Sequence, residues 1–113
     1  MKRRIIQTRN FEKEIDSLLS KYKILPEDFE DLKRNLVINP EIGDLIIGTG
    51  GLRKTRLKSI SSGKSGGFRV CYYYAKDDSI YLIYIYSKNS IENITAQDKK
   101  NFREIIKIIK SME

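Results

Sequence analysis

Two tyrosine-rich apolar runs constrain this chain more than anything else in it. They are residues 67–75 (GFRVCYYYA) and 79–87 (SIYLIYIYS), separated only by Lys76, Asp77 and Asp78. Runs of this length, rich in β-branched and aromatic residues and joined by a short polar turn, predict a β-hairpin. Six of the seven tyrosines lie in them, so the fold must give these rings a sheet. Residues 52–58 (LRKTRLK) read as a further strand, and residues 3–8 (RRIIQT) as a short one.

Between the first strand and the others the hydrophobic period changes. Phe11, Ile15, Leu18, Leu19 and Tyr22 recur at helical spacing, which predicts an amphipathic helix, with Asn10 as its N-cap and Glu12 and Glu14 favouring its first turn. Pro26, followed by Glu27 and Asp28, opens a second helix whose apolar face is Phe29, Leu32, Leu36 and Val37 and which ends at Asn39-Pro40. Two helices so closely linked suggest an antiparallel pair. Near the end, Thr95 and Asp98 have the spacing of a capping box, and Phe102, Ile105, Ile106 and Ile109 form the stripe that the last helix buries. The order β-α-α-β-β-β-α keeps helices and strands apart. It predicts an α+β fold: two N-terminal helices on a mainly antiparallel sheet of three to four strands, with a C-terminal helix.

A length of 113 residues fits one domain, residues 1–113, able to bury its own core. No apolar run is long enough to cross a membrane, and the basic start MKRRIIQTRN lacks the apolar stretch of a signal peptide. The single cysteine, Cys71, has no internal partner and sits in a strand pattern. It reads as a small core residue in a cytoplasmic protein.

GKSGG at 63–67 invites a nucleotide-loop reading, which its context removes. A phosphate-binding P-loop needs a glycine five residues before the Gly-Lys-Ser and a helix after it. Here the first position is Lys58 and a strand follows. GTGGLR at 48–53 fails as a dinucleotide fingerprint for the same reason, since a strand follows it. On composition alone, residues 59–67 are a connection between two strands.

The charge distribution points elsewhere. The net charge is +7, and residues 52–91 hold six of those units while residues 1–51 are neutral. Alternation along the strand at 52–58 puts Lys54, Arg56 and Lys58 on one face, with Leu52 at its start, and Arg53, Thr55 and Leu57 on the other. Arg69 shares a face with Cys71 and Tyr73 in the next strand. If those two strands pair, Arg69 lies beside Lys54 or Arg56. Such a row is either a solvated face, with Arg69 in a structural ion pair, or a surface for a polyanion.

A row of cations can also do chemistry on RNA, whose backbone carries its own nucleophile in the 2′-OH. That reaction needs a base for the 2′ proton, charge stabilisation for the phosphorane and a proton for the leaving 5′-oxygen. The chain has no histidine, so lysine is the available base, its proton loosened by neighbouring cations, as Lys54 stands beside Arg56. Arginine suits the phosphate through its two parallel donors. No cofactor or metal is called for, and Asp77-Asp78 reads as a turn.

These stretches together, GLRKTRLK, a Gly-rich loop, GFRVCYYY and IYLIYIYSKN, resemble the RelE superfamily of bacterial toxins, closest to a HigB/RelE-like branch with an inserted GKSGG-x-R-V-x-Y-Y stretch. The resemblance spans most of the chain. It implies the RelE-like microbial RNase fold and the toxin of a type II toxin–antitoxin pair. Such a toxin is a ribosome-dependent mRNA interferase that enters the ribosomal A site and is held inactive by an antitoxin. Carried over by position, the catalytic residues are Lys54, Arg56, Arg69 and, after the last strand, Lys88; Arg53, Lys58 and Lys64 would bind RNA. The chain departs from the family pattern in two places. Asn89 stands where the best-known members have an arginine, and the tyrosine that follows in them has no counterpart in SKNSIENITA. Tyr86 and Tyr73 are the candidate stand-ins, and leaving-group protonation has no clear donor. Two other functions fit the same residues: a non-catalytic RNA- or ribosome-binding module, and a domain whose basic face serves only an acidic antitoxin.

Overall fold

The fold follows from a computed structural model that describes residues 2–60, 67–88 and 94–113. The elements in chain order are β1 (Arg4–Gln7), α1 (Arg9–Ser20), α2 (Pro26–Ile38), β2 (Asp44–Leu45), β3 (Arg53–Leu57), β4 (Phe68–Tyr74), β5 (Ser79–Ser87) and α3 (Ala96–Ser111). The strands form one sheet in the order β1-β5-β4-β3-β2. Among the described residues only β1 and β5 run parallel; the other pairs are antiparallel. The tyrosine-rich hairpin is the centre of this sheet, as its length and apolar content require.

Helices close the sheet from both sides, and strand alternation decides which residue meets which helix. Phe11 and Ile15 of α1 and Phe29, Leu32 and Leu36 of α2 pack on Leu57, Val70, Tyr72, Ile80, Leu82 and Ile85. On the opposite side Phe102, Ile106 and Ile109 of α3 pack on Leu52, Cys71, Tyr73, Ala75 and Ile83. Cys71 is fully buried in that second layer, as expected of a core residue. Burial pushes its thiol up to about 12, against the pull of nearby Lys54.

One irregularity changes the phase of β5. Cys71 pairs with Tyr84, but Tyr72 pairs with Leu82, so Ile83 has no partner in the register. This is a β-bulge, an extra residue that flips the side-chain phase of everything beyond it. Before it, Ile80 and Leu82 face α1 and α2; after it, Ile85 does. Tyr84 and Tyr86 are thereby turned to the side of Arg69 and Cys71.

The last strand-to-helix entry is as expected. Thr95 accepts from the Asp98 amide at 3.0 Å, and Asp98 accepts from the Thr95 amide at 3.0 Å, completing the capping box. α1 starts earlier than expected. Thr8, not Asn10, is the N-cap, accepting from the Phe11 amide at 3.4 Å. Thr8 is already held at the end of β1, its amide donating to Leu82 O at 3.0 Å, so the chain turns from strand into helix without a loop.

Three further expectations need correction. Tyr22 is not on the helix face: α1 ends at Ser20, and Tyr22 sits at φ 56° with 82% of its surface exposed. The Lys23 amide donates to Leu18 O and the Tyr22 amide to Leu19 O, a Schellman stop in which Tyr22 takes the left-handed position; Ile24 is buried instead. Ile105 lies at the margin of the α3 stripe, 36% exposed. The sheet has a fifth, two-residue strand, β2, because Asp44 and Leu45 pair with Lys54 and Arg53. That pairing needs Gly43. A Cβ there would stand 2.7 Å from Lys54 O and 2.8 Å from the Tyr72 ring. The buried Tyr72 hydroxyl accepts from the Gly43 amide at 2.9 Å and donates to Pro40 O at 2.8 Å, clamping the end of α2 to the sheet.

Candidate functional site

The register of β3 on β4 builds the site. Lys54 lies opposite Cys71, and Arg56 lies directly opposite Arg69. On β5, Arg69 lies opposite Tyr86 and Cys71 opposite Tyr84. Lys54, Arg56, Arg69, Tyr84 and Tyr86 therefore share one face of the sheet. At its other end that face is covered: Leu52, Cys71 and Tyr73 are buried under α3. Lys54 and Arg56 are exposed, and Arg69 and Tyr86 are half-buried. The site is the part of the face that α3 leaves uncovered.

Two arginines directly opposite each other on neighbouring strands repel, at a cost of roughly 0.2–1 kcal/mol. A structural role would offset this with a carboxylate. Among the described residues, the ion pairs are Arg3–Asp78, Arg4–Asp77, Lys33–Glu30, Arg34–Asp31 and Arg53–Glu41. None includes Lys54, Arg56, Arg69 or Lys88. Arg69 donates only to the carbonyl of its neighbour Phe68, at 3.2 Å, among the described hydrogen bonds. The arrangement concentrates positive charge at one place, as a site for a phosphodiester would.

Lys88 joins the row through the backbone. Its amide donates to Gly67 O at 2.9 Å, just beyond the Phe68–Ser87 pair. Gly67 has φ 98°, and a Cβ there would come within 2.9 Å of Leu57 O. This glycine lets the ends of β3, β4 and β5 crowd together, bringing Lys88 to the end of the strands that carry Arg56 and Arg69. Lys58 follows β3 and is exposed. With Arg56 it lines a groove of about 300 Å³ against Asp28, Asp31 and Asn35 of α2.

Arg53 is not part of the cluster. It points to the other face, where it donates to Glu41 O at 3.1 Å and Gly43 O at 2.7 Å and lies 3.6 Å from the Glu41 carboxylate. It fastens the β2 segment, which explains a cation on the α1 and α2 side of the sheet. Lys64 and Asn89 lie outside the described residues. Of the two candidate stand-in tyrosines, Tyr73 is buried under α3, while Tyr86 faces Arg69. Burial raises the Tyr86 hydroxyl above its ordinary value, and Arg69 opposes the shift. Sequence reasoning missed Tyr84, because regular alternation puts it in phase with the buried Leu82 and only the bulge turns it out.

The GTGG segment at 48–51 has a structural task. Arg103 of α3 donates to Gly48 O and Lys110 Nζ approaches Gly50 O at 3.5 Å. The buried Thr49 hydroxyl donates to Ile46 O at 2.6 Å and accepts from the Leu52 amide at 3.0 Å. Asp77 and Asp78 form the β4–β5 turn, as expected, and face Arg4 and Arg3. Among the described residues no three His, Cys, Asp or Glu side chains converge as metal ligands would, and no helix is long and apolar enough to cross a membrane.

Comparison with known proteins agrees with this architecture. A solved structure of the E. coli toxin RelE, a double arginine mutant in the free state, superimposes with a TM-score of 0.56. The match covers 94% of this chain and 98% of that one, at 16% identity, and shows the shared fold. The sequence itself matches the family described as the RelE toxin of the RelE / RelB toxin-antitoxin system over residues 3–113. Over nearly its whole length, then, this chain is a member of the RelE toxin family, the toxins of RelE/RelB toxin–antitoxin systems.

Proposed function

We propose that this toxin is a ribosome-dependent endoribonuclease that cuts mRNA in the A site and so arrests translation. It acts as a single domain in the cytoplasm and is held inactive by a cognate antitoxin. The GKSGG stretch aligns it with the HigB-like branch. The observation that carries the reading is the Arg56–Arg69 opposition with Lys54 and Lys88 in the same row, with no carboxylate partner among the described residues.

The chemistry follows from the positions. Arg69, held in the middle strand of the sheet, grips the scissile phosphate through two parallel donors and stabilises the phosphorane charge. Arg56 and Lys88 add positive charge on either side of Arg69. Lys54 is the base for the 2′-OH or a further phosphate ligand. The attacking oxygen belongs to the substrate, so this mechanism routes no step through a cofactor. Lys58 lies where a neighbouring phosphate would pass, and Lys64 is a further RNA contact in the same reading.

The test is cleavage of a translated message, mapped at its ends, with and without ribosomes. Cuts that appear only with ribosomes and are lost in Arg69→Ala are expected. Equal cutting by wild type and Arg69→Ala would remove Arg69 from the mechanism. The absence of histidine throughout the chain favours a second reading, in which the same face binds RNA or an acidic antitoxin without cutting. That reading expects salt-sensitive binding and no cut ends.

A further inference from the structure

We infer that Tyr84 is a stacking platform for one unpaired RNA base, next to the phosphate site at Arg69; this rests on the RNA reading above. The first support is placement. The bulge at Ile83 turns Tyr84 onto the cationic face, opposite Cys71 and diagonal to Arg69. Diagonal neighbours on paired strands lie roughly 7–8 Å apart, within reach of a large ring. A nucleotide can span that gap, with its phosphate at Arg69 and its base on Tyr84.

The second support is the ring's surroundings. Tyr84 stacks on Tyr86, with centroids 5.7 Å apart and planes 25° apart. It also leans on Phe102 of α3, at 5.5 Å and 53°. Two aromatic neighbours thus fix the ring before anything binds, which reduces the ordering cost of binding. Yet Tyr84 remains 42% exposed, whereas Phe102 is 7% and Cys71 0% exposed. It marks the point where the apolar layer under α3 reaches the surface among cations.

An exposed, braced ring beside phosphate-binding arginines is the chemistry of single-stranded RNA recognition, in which bases stack on aromatic side chains. A duplex hides its base faces and could not use the ring.

The test uses a short single-stranded RNA, 2′-O-methylated to prevent cleavage, offered free and in the vacant A site of programmed ribosomes. A 2-aminopurine is moved along it position by position. Wild type is expected to quench the fluorescence at one position. Tyr84→Leu, which keeps an apolar contact for Phe102, is expected to lose that quenching and bind roughly 5- to 150-fold more weakly, the range for one stacked base. Tyr84→Phe restores both, and keeps the test readable if the leucine variant loosens the fold. An abasic site at the quenched position should weaken wild type by the same factor and leave Tyr84→Leu unaffected. Wild-type affinity and quenching in Tyr84→Leu, with binding still lost in Arg69→Ala, would overturn the stacking role and leave the RNA reading standing. No binding by wild type in either setting would overturn both.

Discussion

The two faces of the sheet are made from alternate residues of the same strands, and they are finished differently. On the side of α1 and α2, Leu57, Val70, Tyr72, Ile80, Leu82 and Ile85 form a continuous apolar layer. On the side of α3, the layer of Leu52, Cys71 and Tyr73 gives way to Lys54, Arg56 and Arg69. The first face lowers the free energy of folding; the second gives some of that up to hold like charges together. Stability and activity should therefore separate by face.

Loss of stability on the closed face is the largest effect expected. Leu82 is fully buried there, and Leu82→Ala should cost about 2–5 kcal/mol, read from urea unfolding. On the open face Arg69→Ala should do the reverse. Cleavage should fall roughly 10²–10³-fold, as when a charge-stabilising donor is lost, while the unfolding midpoint barely moves. A large loss of stability in Arg69→Ala would break the distinction between the faces.

A smaller effect tests how dry the α3 layer is. Cys71 keeps its proton up to about 12 in the folded chain, against an ordinary 9.0. Between those values the unfolded chain binds fewer protons than the folded one, so stability falls as pH rises. The stabilisation is complete below pH 9.0 and declines above it by up to about 1.4 kcal/mol per pH unit. Unfolding midpoints at pH 8, 9 and 9.5, below the ordinary tyrosine value of 10.0, should show the decline in wild type and a much smaller one in Cys71→Ala. Burial also raises Tyr72, Tyr73 and Tyr86, so higher pH would mix several groups.

The smallest effect has the opposite sign. Arg56→Gln removes the repulsion across β3 and β4 and should stabilise the chain by about 0.2–1 kcal/mol while reducing cleavage. Phosphate or sulfate should raise the melting temperature of wild type more than that of Arg56→Gln.

Much of this division was legible in the chain itself. LRKTRLK separates Lys54 and Arg56 from Leu57 by simple alternation, and pairing with the next strand puts Arg69 beside Lys54 or Arg56, of which the structure selects Arg56. Thr95 and Asp98 announce their helix because a capping box is a local device. What escaped depends on partners distant in sequence. Thr8 displaces Asn10 as a cap because Leu82 holds it, and β2 exists because Tyr72 clamps Gly43. Alternation already sets Arg53 on the Leu57 face, but its partners Glu41 and Gly43 could not be read from the chain. Tyr84 and Leu82 stand in phase on paper, and only the pairing of β5 with β4 separates them.

The bulge at Ile83 also bears on how such a chain can change over time. A single residue inserted into a central strand and absorbed as a bulge leaves every later side chain on the face it already had. A surface row such as Tyr84 and Tyr86 can thus survive the gain or loss of one residue at this point. Substitution scanning would pass over this position, since many apolar residues could fill it. Deleting Ile83 would set Tyr84 directly after Leu82, restore regular pairing with Cys71 and Tyr72, and leave Tyr84 and Tyr86 on the cationic face and Ile85 against α1 and α2. A gap at this position between related sequences is therefore no sign that the face has been lost.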